Sequence, residues 1–257
     1  MRSSGLKQIF FFVTVVVLPL VSFGNDQQEA LFTKANSYYA KAQYREALDT
    51  YQKIIAGHEH SAAVYFNMGN ASYKLEDIPS ALLYYEKAHR LSPNDEDINA
   101  NIRLANSKTR DKIEEVPEFF LNRWWRGVYL SFSANMFALF SLLFVLAGSA
   151  FLILYFFAHQ KGIKKSSFFV AVACFILGIF TIFLLSQQLS YFKRQQGIVF
   201  SSPVYVKSAP AGQSRDLFLI HEGVKVTILQ TTNRDWMRVR LANGNEGWIK
   251  AGDMKLI

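Results

Sequence analysis

Apolar residues are spaced in four different ways along this 257-residue chain. Residues 9–20 form one short unbroken apolar run. From residue 25 to residue 114, apolar positions recur every three to four residues, which predicts a series of amphipathic helices. Residues 132–157 and 168–190 are long apolar runs without a single charge. From residue 196 onward, β-branched and aromatic residues alternate with polar ones, and turn residues interrupt them roughly every 8 to 12 positions, the spacing of a small all-β barrel. The pattern therefore predicts a multidomain membrane protein: an all-α solenoid, two transmembrane helices and a C-terminal all-β module.

The helical stretch is internally repetitive. Setting Ala47 against Ala81 gives a period of 34, and Leu31, Ala35, Tyr44, Tyr51 and Ile54 then fall on Tyr65, Gly69, Ile78, Tyr85 and Ala88. A helix-turn-helix period of about 34 with small and aromatic residues at these offsets resembles the tetratricopeptide repeat. Repeats are placed at 28–61 and 62–95, and Ile98, Ile102 and Ala105 predict a further, capping helix over 96–114. The whole helical domain is set at 25–115. Gly69 and Ala81 allow close helix approach, while Asp77 and Pro79 suit the first turn of a helix. The resemblance implies a groove that binds a protein segment, with Phe32, Asn36, Tyr39, Phe66, Asn70 and Tyr73 as its candidate residues. A carboxylate clamp through Asn36 and Asn67 is disfavoured, because Phe32, Ala100 and Leu104 stand where cations are needed.

Charge flanking the apolar runs predicts topology. Arg2 and Lys7 precede the 9–20 run, and Ser22-Phe23-Gly24 offers small residues for cleavage, so residues 1–24 read as a signal peptide or an uncleaved anchor. Either reading places residue 25 onward outside the cytoplasm. A bilayer core of about 30 Å needs about 20 helical residues, which both long runs supply. The 158–167 loop between them carries Lys161, Lys164 and Lys165, as a cytoplasmic turn does. Two spans return the C-terminal module to the side of the repeats. Residues 116–131, with Trp124, Trp125 and Tyr129 beside Arg123 and Arg126, read as an interfacial segment. Cys174 and Gly178 form a small-xxx-small pair.

Residues 196–257 predict seven strands: 197–200, 204–207, 217–221, 225–230, 236–241, 247–250 and 254–256. Asn243-Gly244-Asn245 is a hairpin signal. Val204-Tyr205-Val206, His221-Glu222-Gly223, Asp235-Trp236-Met237-Arg238-Val239 and Gly247-Trp248-Ile249 give the segment its resemblance to bacterial SH3 domains. Trp248 is assigned to the core, and Tyr205, Trp236, Arg238 and Arg240 to a ligand-facing patch.

Charge then narrows the function. The chain carries +8 overall. Residues 25–115 hold 11 basic and 14 acidic residues, and residues 193–257 hold 10 and 5. The remaining excess flanks the apolar runs and suits topology rather than nucleic acid, for which no basic run is long enough. The one cysteine excludes an intrachain disulfide. His58, Glu59 and His60 read as a solvated turn, so no metal and no cofactor is expected. No nucleophile elbow, phosphate loop, dinucleotide glycines or zinc-protease motif occurs, so a non-enzyme is expected.

The order of parts resembles one family more closely than any single part does. Asp97 to Ser107, Asn122-Arg123-Trp124-Trp125 and Asn243 to Ile249 are similar to segments of the aerotolerance-operon proteins called BatE. That resemblance implies membrane partners with von Willebrand-type A domains and a MoxR-type ATPase, in an envelope stress system. The expectation is a scaffold of the bacterial inner membrane, with both modules on the periplasmic side. The alternative is a peptidoglycan-binding anchor acting through the SH3-like end.

Overall fold

The computed structural model describes residues 26–57, 60–114, 119–232 and 235–257. The expected signal peptide lies outside them, as do His58 and Glu59 and most of the 233–235 turn. The chain divides into two compact units, residues 1–59 and 60–257.

The first unit is a helical pair, α1 (Asp26–Ala40) and α2 (Tyr44–Ala56). Ala35 and Ala47 are fully buried and bring the helices close. Tyr51 is buried against the Phe32 ring at 6.0 Å, and Tyr39 meets Tyr44 edge-on at 5.3 Å. Ala42, in the turn, takes a left-handed φ of 59°.

The second unit begins with the same device, one period later. It comprises α3 (Ala62–Lys74) and α4 (Ile78–Leu91), joined through Glu76 at φ 61°. Ser61 caps α3 by accepting from Val64 N, and Asp77 caps α4 by accepting from Ser80 N. A Cβ on Gly69 would sit 2.4 Å from the Tyr85 ring, so the repeat admits only glycine there without rearrangement. Helix α5 (Glu96–Asn106) packs on α4, capped by Asp95. It stops eight residues short of the expected 114. Lys112 explains the stop: its Nζ donates to the carbonyls of Asn106, Ser107 and Thr109, closing the helix end.

Helix α6 (Phe120–Tyr129) covers the expected interfacial segment, with Trp125 packed 6.1 Å from Phe183 and Trp124 exposed. Two helices follow that are long and apolar enough to cross a membrane, α7 (Ala134–Phe157) and α8 (Lys161–Phe192). They pack along each other as a hairpin. Gly178 faces Phe144 and Val145, and Gly148 faces Phe175, so small residues set the contact. The turn is shorter than the predicted 158–167 loop, because α8 starts at Lys161 and takes the three lysines into its first turns. Lysine is a good helix former, so the helix continues beyond the apolar run.

The C-terminal module holds seven strands, all within two residues of their predicted bounds: β1 (Gln196–Val199), β2 (Val204–Lys207), β3 (Asp216–Ile220), β4 (Lys225–Thr232), β5 (Trp236–Arg240), β6 (Glu246–Lys250) and β7 (Met254–Leu256). They form one antiparallel sheet in the order β3-β2-β6-β5-β4-β1-β7. The expected closed barrel is not formed, since β3 and β7 do not pair. Every strand except β3 and β7 has two neighbours, and all seven send residues into one core, including Val206, Ile220, Val239, Ile249 and Met254. The sheet is therefore strongly coiled yet open. The β1–β7 side is packed instead on helices: Ile198 is fully buried with Ala81, Leu82, Leu83, Tyr85 and Ala105, and Ile257 packs beside them.

This packing joins two modules that the sequence presents as separate. Glu86 on α4 is 4% exposed and meets Lys225 on β4 at 2.6 Å. Arg90 donates to the carbonyls of Ile257 and Phe192, each at 2.7 Å. Asp111 accepts from His221 N at 2.6 Å and lies 2.8 Å from its Nδ1. Gly223 has φ 87°, and a Cβ there would meet the Thr109 methyl at 2.8 Å. Asn94 also donates to the Leu130 carbonyl, just before α7. The second repeat and the sheet thus sit together at one end of the apolar hairpin.

Candidate functional site

Two sets of residues were expected to face ligands, and the structure treats them differently. In the second repeat, Phe66 packs 5.9 Å from Tyr85, and both Phe66 and Tyr73 pack on the cluster that seats Ile198. Asn70 accepts from Tyr85 OH at 2.8 Å and from Asn101 Nδ2 at 2.9 Å. In the first unit, Asn36 accepts from Tyr51 OH in the same way. The two bonds lie one period apart, from 36–51 to 70–85. A buried tyrosine hydroxyl needs a partner, and in both repeats the asparagine supplies it. Phe32, Asn36 and Tyr39 of the first unit, and Phe66, Asn70 and Tyr73 of the second, are thus engaged in holding their own helical pairs.

The sheet's patch is built otherwise. Side chains alternate across a strand. With Val239 buried, Trp236, Arg238 and Arg240 share the outer face of β5; with Val204 and Val206 buried, Tyr205 lies outward on β2 and is 55% exposed. The register sets Arg238 beside Trp248, Arg240 beside Glu246, and Lys207 beside Trp248. All four predicted residues therefore lie on one face. Trp248 joins them, contrary to its assignment to the core. It is half-buried between Gly247 and Ile249, both buried. Gly247 shows why: a Cβ there would lie 2.4 Å from Val206 Cγ1, so glycine is what lets β6 approach β2, and its neighbour must point outward.

A shallow cavity of about 270 Å³ opens on this face, lined by Ser208, Leu217, Arg238, Glu246, Gly247 and Trp248. Of these, only Arg238 belongs to the patch expected from the sequence. The alternation in Glu246-Gly247-Trp248-Ile249-Lys250 carried the signal, since an inward Ile249 puts Trp248 on the other face. Leu217 and Leu219 on the edge strand β3 are 46% and 42% exposed and extend the face as far as the unpaired edge. Charge on the face is partly matched. Glu246 pairs with Arg238 at 2.9 Å and with Arg240 at 2.6 Å, and Lys207 pairs with Asp216. The hydrogen bond from Arg240, aided by both positive charges, holds the Glu246 carboxyl below the usual carboxylate range. Glu246 thereby fixes two arginines in place beside the tryptophan.

Among the described residues no group of three potential metal ligands occurs. His60, the described member of the histidine turn, lies 2.6 Å from Tyr65 OH through Nδ1.

Comparison with known families agrees with this layout. The model of the bacterial SH3 domain matches residues 202–255, and the model of the tetratricopeptide repeat matches residues 62–95. The chain therefore carries a tetratricopeptide repeat, two helices able to span a membrane and a bacterial SH3 domain. Both modules are of kinds that bind protein segments or, for the SH3 domain, wall polymer. No curated protein matches the chain.

Proposed function

We propose that this chain is a non-catalytic, membrane-anchored scaffold of the bacterial envelope. Its apolar hairpin holds it in the inner membrane, with the repeats and the SH3 domain together on the periplasmic side. The outer face of the sheet carries this reading: the exposed Tyr205 and the half-buried Trp236 and Trp248 lie on it with Arg238 and Arg240, on a sheet that ends in the unpaired edge of β3. Aromatic rings with flanking arginines are the residue types that dominate protein interfaces. An exposed strand edge also offers backbone hydrogen bonds to an extended partner segment. The similarity to BatE proteins supports von Willebrand-type A domain proteins and a MoxR-type ATPase as partners, and a role in aerotolerance. Crosslinking and recovery of the intact chain from membranes tests this. Partner recovery should fall with Trp248→Ala; a set of crosslinked proteins unchanged by that substitution contradicts it. A periplasmic reporter fused after Ile257 should be active, and an active cytoplasmic reporter there would overturn the sidedness.

A second reading, a peptidoglycan anchor, is favoured by one observation. Lys207, Arg238, Arg240 and Lys250 on the outer face outnumber its acids Asp216 and Glu246, and wall peptides carry carboxylates. Co-sedimentation of the detergent-solubilised chain with purified wall separates the two: pelleting above a control supports the anchor, and none rejects it.

A further inference from the structure

The largest cavity described lies away from the sheet's outer face. It encloses about 1260 Å³ between α4, α5, the 107–114 segment, α6, the end of α8 and the β4 side of the sheet. This exceeds the roughly 300–1000 Å³ of ordinary small-molecule sites. Its wall is strongly cationic, and the cations divide into two groups. Arg90 and Lys112 are committed to backbone carbonyls, Lys225 and Arg240 to Glu86 and Glu246, and Arg126, also on this wall, is engaged as well. Arg103, Arg123 and Arg194 also line it, each exposed, and their side chains make no hydrogen bond or ion pair among the described residues. Of the lining acids, Glu86 and Asp111 are engaged by Lys225 and His221, which leaves Glu114. His89 adds a buried Nδ1 without a partner among the described residues.

Three arginines on one cavity wall, their side chains unpaired among the described residues and with so little matching acid, ask for an anion. The remainder of the wall says which kind. Leu130, Tyr191 and Phe192 line the cavity where α6 and α8 meet, and the apolar surface continues from there along the hairpin. Trp124, Phe119 and Phe120 are exposed on and beside α6. A ligand with an anionic head and an apolar tail fits both halves of this wall, whereas a free anion or an acidic peptide uses the cationic half alone. We propose that the cavity binds the phosphate-bearing headgroup of an anionic lipid, with Arg103, Arg123 and Arg194 as its phosphate contacts. This rests on the reading of α7 and α8 as membrane spans.

The test uses the full chain. Native mass spectrometry of the purified protein, offered equal phosphatidylglycerol and phosphatidylethanolamine, should show the anionic lipid retained at least about tenfold more, since each surface cation contributes appreciably to anionic-lipid binding. Equal retention overturns the proposal. Combined Arg103→Gln, Arg123→Gln and Arg194→Gln should bring the two lipids to near parity. The matching Arg→Lys variant should retain the preference, which guards against a folding defect. Combined Lys161→Gln, Lys164→Gln and Lys165→Gln should also retain it. A preference that survives loss of the three arginines places the site elsewhere and overturns the assignment. Displacement by inorganic phosphate or by an acidic peptide at constant ionic strength would show the anion but overturn the lipid. Flotation keeps the two failures apart: a chain that floats with neither lipid's vesicles refutes the spanning reading, and one that floats with both yet retains the two lipids equally in the mass spectrum refutes the cavity assignment alone.

Discussion

The second repeat and the sheet's outer face both present aromatic and polar side chains, but they commit their aromatic rings differently. In the repeat, Asn70 satisfies the buried Tyr85, and Phe66 and Tyr73 help seat the sheet's Ile198. On the sheet, Tyr205 and the Trp248–Arg238 pair lie over a core that is complete without them. Residue type does not distinguish the two surfaces. What distinguishes them is whether the aromatic rings already pack into the module's own core, as Phe66 and Tyr73 do and Tyr205 and Trp248 do not.

The contrast can be broken from the repeat's side. Gly69→Ala drives a methyl into the Tyr85 ring and should cost about 3 kcal/mol in denaturant unfolding. Ala35→Gly, at the equivalent place in the first repeat, should cost only about 1 kcal/mol, by helix propensity. Equal costs would show that the two helical pairs tolerate the same spacing. Asn70→Ala removes the acceptor that the Tyr85 hydroxyl and the Asn101 amide share, and should cost about 2 kcal/mol while leaving partner recovery through the sheet unchanged. A loss of recovery without a loss of stability would return Asn70 to a binding role.

Acid should weaken the same unit more gently. Burial holds His89 below its ordinary value of 6.5; the nearby Lys225 acts in the same direction and Glu86 opposes them. The folded state therefore binds the proton less readily than the unfolded state. Stability should fall as pH drops through 6.5 and go on falling until the folded-state value is passed. Between about pH 7.5 and about pH 5.5 the wild type should lose more stability than His89→Gln. An identical loss in both would remove His89 from the account. Smallest and opposite in sign, Glu76→Gly should stabilise by less than about 1 kcal/mol in thermal unfolding, by relieving its left-handed backbone.

Much of this fold was legible in the sequence. Period 34 foretold two equivalent helical pairs, and the recurrence extends to the Asn36–Tyr51 and Asn70–Tyr85 bonds and to the positive φ at Ala42 and Glu76. Alternation and turn residues placed seven strands. What was not legible depends on contacts between segments distant in the chain. Ile198 on β1 packs against α4, Arg90 reaches Ile257 across 167 positions, and Asp111 reaches His221 across 110 positions. No local pattern encodes such meetings. Trp248 is a different case, because its alternation with Ile249 was available and its size argued the other way.

The contrast between the two surfaces is tested most directly by a photo-crosslinking amino acid placed singly at Tyr205, Trp248, Phe66 and Tyr73 in the intact chain in cell envelopes. Adducts from Tyr205 and Trp248, with none from Phe66 and Tyr73, are the predicted result. Adducts from Phe66 or Tyr73 with none from the sheet would contradict it.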